Sequence, residues 1–330
     1  MAIAAKLEGM NKKNLRLGWI AMLCLALVGT DSALSAAQGS YRLPNADDKV
    51  FGQAFYVKSR YEDTLLDIGR WKGVGYDEMR FANPGVDIWI PGAGTHVLVP
   101  TRYVLPDAPR RGLVLNLAEK RLYYFPSSGE VVTYAISIGR EGWNTPIGNF
   151  KIVEKVENPT WTPPASIRAE HAEEGDILPA VVPAGPDNPV GKYAMRLSAK
   201  SYLIHGTNKP WGLGMRVSHG CIRMYPEDIE RLFPEIPVGT SVKIVDQPFK
   251  VGWHGSNLYL EVHAKDEDKA RRPLKEVIPA SIANARGVNV DWREVRRAVE
   301  KNTGLPHLVG GRLMRGRRRP AHRLYLDKLF

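Results

Sequence analysis

Between residues 112 and 153 the chain passes through short apolar segments too closely spaced to hold long helices between them. Segments 113–117 and 121–125 flank the turn Ala118-Glu119-Lys120, segment 131–138 alternates in part, and 148–153 continues the series. Runs of this length and period read as β-strands. Without helical crossovers they predict a sheet that packs on, or closes on, another layer. The expected fold class is therefore mainly β with α+β additions, its centre a sandwich or barrel-like body over 111–247. At 330 residues the chain exceeds one average domain, so further units are expected on either side.

The flanking segments read differently. A polar lead-in covers 41–49. Residues 50–100 make a small βααβ unit: a β-like 54–57, a helix over 64–70 with Asp63 as its cap and Leu65, Leu66 and Ile68 as its apolar face, a second helix over 76–82, and a strand at 95–99. Asn83-Pro84-Gly85 stops the second helix. Residues 158–190 carry Pro159, Pro163, Pro164, Pro179, Pro183, Pro186 and Pro189. A loop of that length in a compact body is functional or disordered, and it is read as a lid over a groove, the alternative being a surface excursion. The extension 248–311 starts with a strand at 258–262. It ends with a helix over 292–302, capped by Asp291, with Trp292, Val295 and Val299 on one face and Gly304 beyond its end.

Lys12, Lys13 and Arg16 precede an apolar run over 19–28, and Ser35-Ala36-Ala37 follows. Positive region, short apolar core and small-residue end predict a secretory signal over 1–37. The run falls short of the ~20 apolar residues of a spanning helix. Cleavage after Ala37 would remove Cys24 and leave Cys221 as the one cysteine of the mature chain. An unpaired thiol in an oxidising compartment needs a reason, the plain one being a small buried hydrophobe. The formal charge is +11, and residues 312–330 hold seven Arg or Lys against Asp327, a net +6. Such a tail is solvated or touches an anionic wall or membrane surface. No nucleic-acid-binding fold is recognisable, and no nucleic acid is expected as partner.

The chemistry concentrates in two stretches, Tyr202-Leu203-Ile204-His205-Gly206-Thr207 and Met215-Arg216-Val217-Ser218-His219-Gly220-Cys221-Ile222-Arg223. Cysteine chemistry runs through the thiolate, and an imidazole can take the thiol proton and hold it as an ion pair. His219 lies two residues before Cys221 and His205 sixteen before it; spacing alone leaves the base open between them. Gly220 clears bulk beside the sulfur, so the N–H groups of Gly220 and Cys221 are candidates for an oxyanion site. In extended chain, His219, Cys221 and Arg223 would share a face, with Arg223 a forked donor for a substrate carboxylate. Trp143, Trp161 and Trp211 are candidates for the groove or for the core.

Ser218-His219-Gly220-Cys221 with the upstream His205-Gly206-Thr207-Asn208 and Thr145-Pro146-Ile147-Gly148 resembles the signature of L,D-transpeptidases with a YkuD-type catalytic domain, over roughly 112–244. The 50–100 unit, with Glu62-Asp63-Thr64-Leu65 and Asn83-Pro84, resembles a LysM module, which binds the glycan of peptidoglycan or chitin. The pair points to the periplasmic Gram-negative branch. The resemblance implies a β-sandwich catalytic domain and no metal or cofactor. It makes Cys221 the acylated nucleophile and His205 the base, oriented by the Gly206 carbonyl. His219 and Gly220 then shape the oxyanion region, and Arg223, Arg216 and Ser218 are the substrate-binding candidates. Arg223 stands where many members carry Asn, and the interval from His205 to Ser218 is short for the family. The implied reaction takes a stem tetrapeptide of peptidoglycan, releases D-Ala, and passes the acyl group to a diaminopimelate side chain or to the C-terminal lysine of an outer-membrane lipoprotein. Three rivals remain: hydrolysis by the same cysteine, a non-catalytic wall-binding protein, and a zinc site built from His205, His219 and Cys221.

Overall fold

The computed structural model describes residues 40–313 except 44, 46, 127, 128 and 200. The signal segment and, apart from Arg312 and Leu313, the basic tail lie outside the described residues.

The first part of the chain carries β1 (Ser40–Arg42), β2 (Val50–Gly52), β3 (Phe55–Lys58), α1 (Leu65–Trp71), α2 (Tyr76–Ala82), β4 (His96–Val99) and β5 (Arg102–Val104). Strands β3 and β4 pair antiparallel, and with α1 and α2 they enclose a small core of Leu65, Ile68, Val74, Met79, Val97 and Val99. The cap of α1 is Thr64, not Asp63: Thr64 Oγ1 accepts from the Asp67 N–H at 3.0 Å while Asp67 Oδ2 accepts from the Thr64 N–H. This reciprocal arrangement satisfies two otherwise orphaned donors. Asp63 instead accepts from the Arg60 N–H. The 41–49 stretch is not merely a polar lead-in, because Ser40, Tyr41 and Arg42 add a strand to the central sheet beside Val132, Val131 and Glu130.

The body consists of β6 (Gly112–Asn116), β7 (Arg121–Phe125), β8 (Glu130–Gly139), β9 (Gly148–Glu157), α3 (Ala165–Glu173), β10 (Tyr193–Leu197), β11 (Leu203–His205), β12 (Arg216–Ser218), β13 (Ile222–Met224), α4 (Pro226–Glu235) and β14 (Ser241–Val245). Strand order runs β8-β13-β11-β10-β9-β14-β6-β7, and β7 pairs back onto β8. The mainly β expectation holds, and the sheet returns on itself. Ten-residue β8 makes this closure: Val132 to Ala135 face β7, Ile136 and Ser137 face β13, and Ile138 and Gly139 face β12. Inside lie Leu113, Leu115, Leu122, Ile136, Ile152, Met195, Ile204, Ile222, Met224 and Ile244, with Ile229 and Leu232 of α4 packed over them. Each such side chain contributes about 1.5–3 kcal/mol by leaving water.

The chain finishes with β15 (Phe249–His254), β16 (Asn257–Val262), α5 (Asp266–Arg271), α6 (Leu274–Val277), α7 (Ala280–Ala283), β17 (Val288–Val290), α8 (Trp292–Lys301) and β18 (His307–Arg312). Asp291 caps α8 as expected, accepting from the Arg293 and Glu294 N–H groups. The left-handed residue that ends it is Asn302, at φ 47°, rather than Gly304. Only Val295 and Ala298 of α8 are fully buried, and Trp292 stays 38% exposed.

A charged cluster joins the three parts. Lys250 Nζ donates to Glu119 Oε2 at 2.5 Å and to Glu261 Oε1 at 2.7 Å, with all three side chains at zero exposure. It also donates to the Val104 carbonyl, and Glu261 accepts from the Val104 N–H. Nearby, Arg121 makes a forked pair with Glu78 of α2.

Candidate active site

His205 ends β11, a strand running parallel to β13 with His205 opposite Arg223. Its imidazole is buried, and Nδ1–H donates to the Gly206 carbonyl at 2.6 Å. A neutral ring that donates from Nδ1 keeps its lone pair on Nε2. Burial and then the Arg223 charge push His205 down to about 4, against the pull of the Gly206 and Val190 carbonyls. Burial likewise raises the Cys221 thiol, more than the Leu203 N–H and the Arg223 and Arg196 charges lower it. Desolvation penalises both charged forms and so works against the ion pair expected from sequence.

The turn from Ser218 to Cys221 is built around Gly220. Its φ of +102° is a conformation side chains rarely adopt, and a Cβ there would lie 2.9 Å from the Tyr202 ring. That turn interrupts the extended chain, so His219, Cys221 and Arg223 do not form one continuous strand face. Ser218 Oγ donates to the Cys221 carbonyl at 2.6 Å and accepts from the Gly220 N–H at 3.1 Å. Its hydroxyl therefore holds the turn. Because the Gly220 N–H is engaged, the Cys221 N–H is the candidate oxyanion donor of the two. Thr145 Oγ1 donates to the Gly220 carbonyl and accepts from the Gly139 N–H, tying the 145–148 run to the same turn.

Cys221, His205, Arg223, Ser218 and His219 all line one cavity of about 470 Å³. The 158–190 insert supplies its other wall through Trp161, Ile167, His171, Leu178, Pro179 and Val182. The insert is not a bare loop, since it contains α3. Arg223 Nε is buried with no hydrogen-bond partner among the described residues, a donor awaiting an acceptor.

Other candidates fall elsewhere. Arg216 donates to the Gly139 carbonyl and lines a separate cavity with Asp77, Glu119, Lys120 and Asp246, so it does not join Cys221. Trp143 stands edge-on to His219 with ring centres 4.9 Å apart, whereas Trp211 is 62% exposed. Among the described residues, the trio whose ligand atoms lie within 4.8 Å of one another is Glu119, Glu261 and His263, not His205, His219 and Cys221. Its two carboxylates already hold the Lys250 ammonium.

Two residues that sequence reasoning missed complete the centre. Arg140 follows β8 and donates its backbone N–H to the Ser218 carbonyl. Its guanidinium donates to Glu170 Oε1 of α3, and Glu170 Oε2 lies 2.9 Å from His219 Nε2. Arg140 first and His219 second hold the Glu170 carboxyl below its usual range. No motif spacing marks either residue.

The β body that closes through β8 thus carries Cys221 and His205 on the wall of one cavity. The L,D-transpeptidase catalytic domain, the YkuD family, matches residues 110–244. Similarity extends well beyond that segment. The chain is 42% identical to the probable L,D-transpeptidase ErfK/SrfK of Escherichia coli (strain K12) over 81% of its own length and 89% of that protein. It is 38% identical to probable L,D-transpeptidase YbiS of the same strain over 89% of this chain and 98% of that protein. With YcfS of that strain, also a probable L,D-transpeptidase, the figures are 40%, 83% and 89%. The chain belongs to the L,D-transpeptidase family and is an enzyme of that class.

Proposed function

We propose that Cys221 is the nucleophile of a peptidoglycan acyl transfer in which His205 moves the proton. The observation that carries this reading is that Cys221, His205 and Arg223, whose Nε has no partner among the described residues, line one cavity. As Sγ attacks the carbonyl of the third stem residue, its proton passes to His205 Nε2. The negative oxygen is met by the Cys221 N–H, and Arg223 receives a carboxylate of the donor peptide. Collapse breaks the amide, His205 returns the proton to the departing nitrogen, and D-Ala leaves. An amine then attacks the thioester, gives its proton to His205, and the thiol reforms with a new amide. The acceptor is a diaminopimelate side chain or the C-terminal lysine of an outer-membrane lipoprotein; water at this step would make the enzyme a hydrolase. No metal or cofactor enters any of these steps.

The same reading places the enzyme in the periplasm, exported by the 1–37 signal, with the basic tail against anionic wall. It gives the β3-α1-α2-β4 unit a LysM-like role in holding glycan. Solvent-facing rings on that unit, Tyr61 and Trp89 among them, support such a contact.

The test is to incubate mature enzyme with tetrapeptide muropeptides and an amine acceptor and to read masses. Expected are a thioester adduct on Cys221 and a product carrying a new amide, both lost in Cys221→Ala. Shortened stems alone would assign hydrolysis, and an active Cys221→Ala protein would overturn the nucleophile.

A further inference from the structure

We propose that Glu170 is a positioning residue of the active centre: it clasps the 158–190 insert onto the Cys221 cavity and keeps the His219 proton on Nε2.

The insert is fastened in two places of different character. At its base, Trp161 and Val182 exchange both backbone hydrogen bonds, at 2.9 and 2.7 Å. Asn188 ties the same ends together by donating to the Pro159 and Pro183 carbonyls. Further out, α3 buries only Ile167. Among the described residues, Glu170 is the one α3 side chain with a hydrogen bond or ion pair outside the insert. A helix with one buried side chain has little apolar area to hold it in place. Its docking over the groove therefore rests largely on one bridging carboxylate.

The bridge also determines the state of His219. Nε2 lies 2.9 Å from Glu170 Oε2 and 3.1 Å from Arg140 Nη2. A ring nitrogen offers a hydrogen or a lone pair, never both. With a lone pair, Nε2 would accept from Arg140 Nη2 at 3.1 Å but would face the nearer, charged Glu170 oxygen across 2.9 Å with no hydrogen between them. With a hydrogen it donates to Oε2, the nearer of its two neighbours, and Arg140 Nη2, from which it can then no longer accept, donates to Oε1 instead. The carboxylate thus favours a hydrogen on Nε2. Trp143, edge-on to the ring, limits its rotation. A helix at the far side of the groove and an imidazole two residues from the nucleophile are in this way set by a single group. When the insert lifts, His219 loses its orienting partner.

The inference rests on the transferase reading only for its turnover readout. Mature Glu170→Ala, Glu170→Asp and, as control, Glu173→Gln enzymes are compared with the parent. Side-chain nitrogen spectra should show parent His219 protonated at Nε2, and averaged forms in Glu170→Ala. Trypsin should cut after Arg168 at least fivefold faster in Glu170→Ala. KM for the tetrapeptide donor should rise at least fivefold, with a smaller fall in kcat. Glu170→Asp should recover most of each effect, and Glu173→Gln should match the parent. A parent His219 bare at Nε2 would overturn the proposal, as would a Glu170→Ala protein with unchanged spectrum and cleavage. Absence of turnover in the parent would count against the transferase reading alone, leaving the spectra and cleavage to decide this one.

Discussion

Asp228 offers the clearest quantitative test of how this body is held together. It sits in the first turn of α4, where Pro226 opens the helix, and is 5% exposed. Its Oδ2 has no hydrogen-bond partner among the described residues. Burial first and the neighbouring Glu227 charge second raise its carboxyl from 3.8 to about 7. A raised carboxyl means that the folded state holds a proton the unfolded chain has released. Stability therefore falls as pH climbs from about 4 to about 7 and is level above that. A shift near three units corresponds to at most ~4 kcal/mol, at 1.36 kcal/mol per unit. The positive end of α4 favours the charged form by up to ~1 kcal/mol and is already part of that balance. Replacing Asp228 by Asn removes the titration. The variant should exceed the parent by about 2–4 kcal/mol at pH 8 and match it within ~1 kcal/mol near pH 4. Urea unfolding followed by tryptophan fluorescence at pH 4, 6 and 8 measures the difference. An Asn variant less stable than the parent at pH 8, or a gain that does not change with pH, would refute the assignment of a strained buried carboxylate.

Two further outcomes follow from the site and the charged cluster. With His205 lowered to about 4 and burial raising the Cys221 thiol, alkylation by iodoacetamide should climb about tenfold per unit from pH 6 to 8; a flat rate between pH 5 and 8 would restore the ion pair. Lys250→Met leaves Glu119 and Glu261 buried without their shared cation and should cost about 3–5 kcal/mol in thermal or urea unfolding; a loss under ~1 kcal/mol would show that water or His263 replaces the ammonium.

What could be read from the chain was local. The 76–82 helix emerges with the expected bounds because Asn83-Pro84-Gly85 stops it from within the sequence. His205 and Cys221 line the same cavity because each terminates or flanks a strand whose apolar neighbours, Ile204 and Ile222, pair in register. Residues whose role depends on distant partners stayed hidden. Glu170 lies in a proline-rich stretch, on a helix too exposed to show an apolar period. Glu119 reads as a turn residue, yet Lys250 and Glu261, more than 130 positions away, bury it. Arg216 looked like part of the motif that contains Cys221, and only its strand's orientation shows that it serves another cavity. His219 and Cys221 obey the two-residue period on paper, but Gly220 turns the chain between them.

Strand β8 has a consequence for how this enzyme can vary. Its ten residues pair with β1 and β7 at one end and with β13 and, across a register shift, β12 at the other, and it leads directly into Arg140. Adding or dropping one residue would turn every side chain on the affected stretch to its opposite face. The error would reach the strands bearing Arg223 and Ser218 as well as those far from them. Lineages of this enzyme can exchange one apolar side chain for another along β8, but its length is a fixed dimension, like the stave that locks a cask.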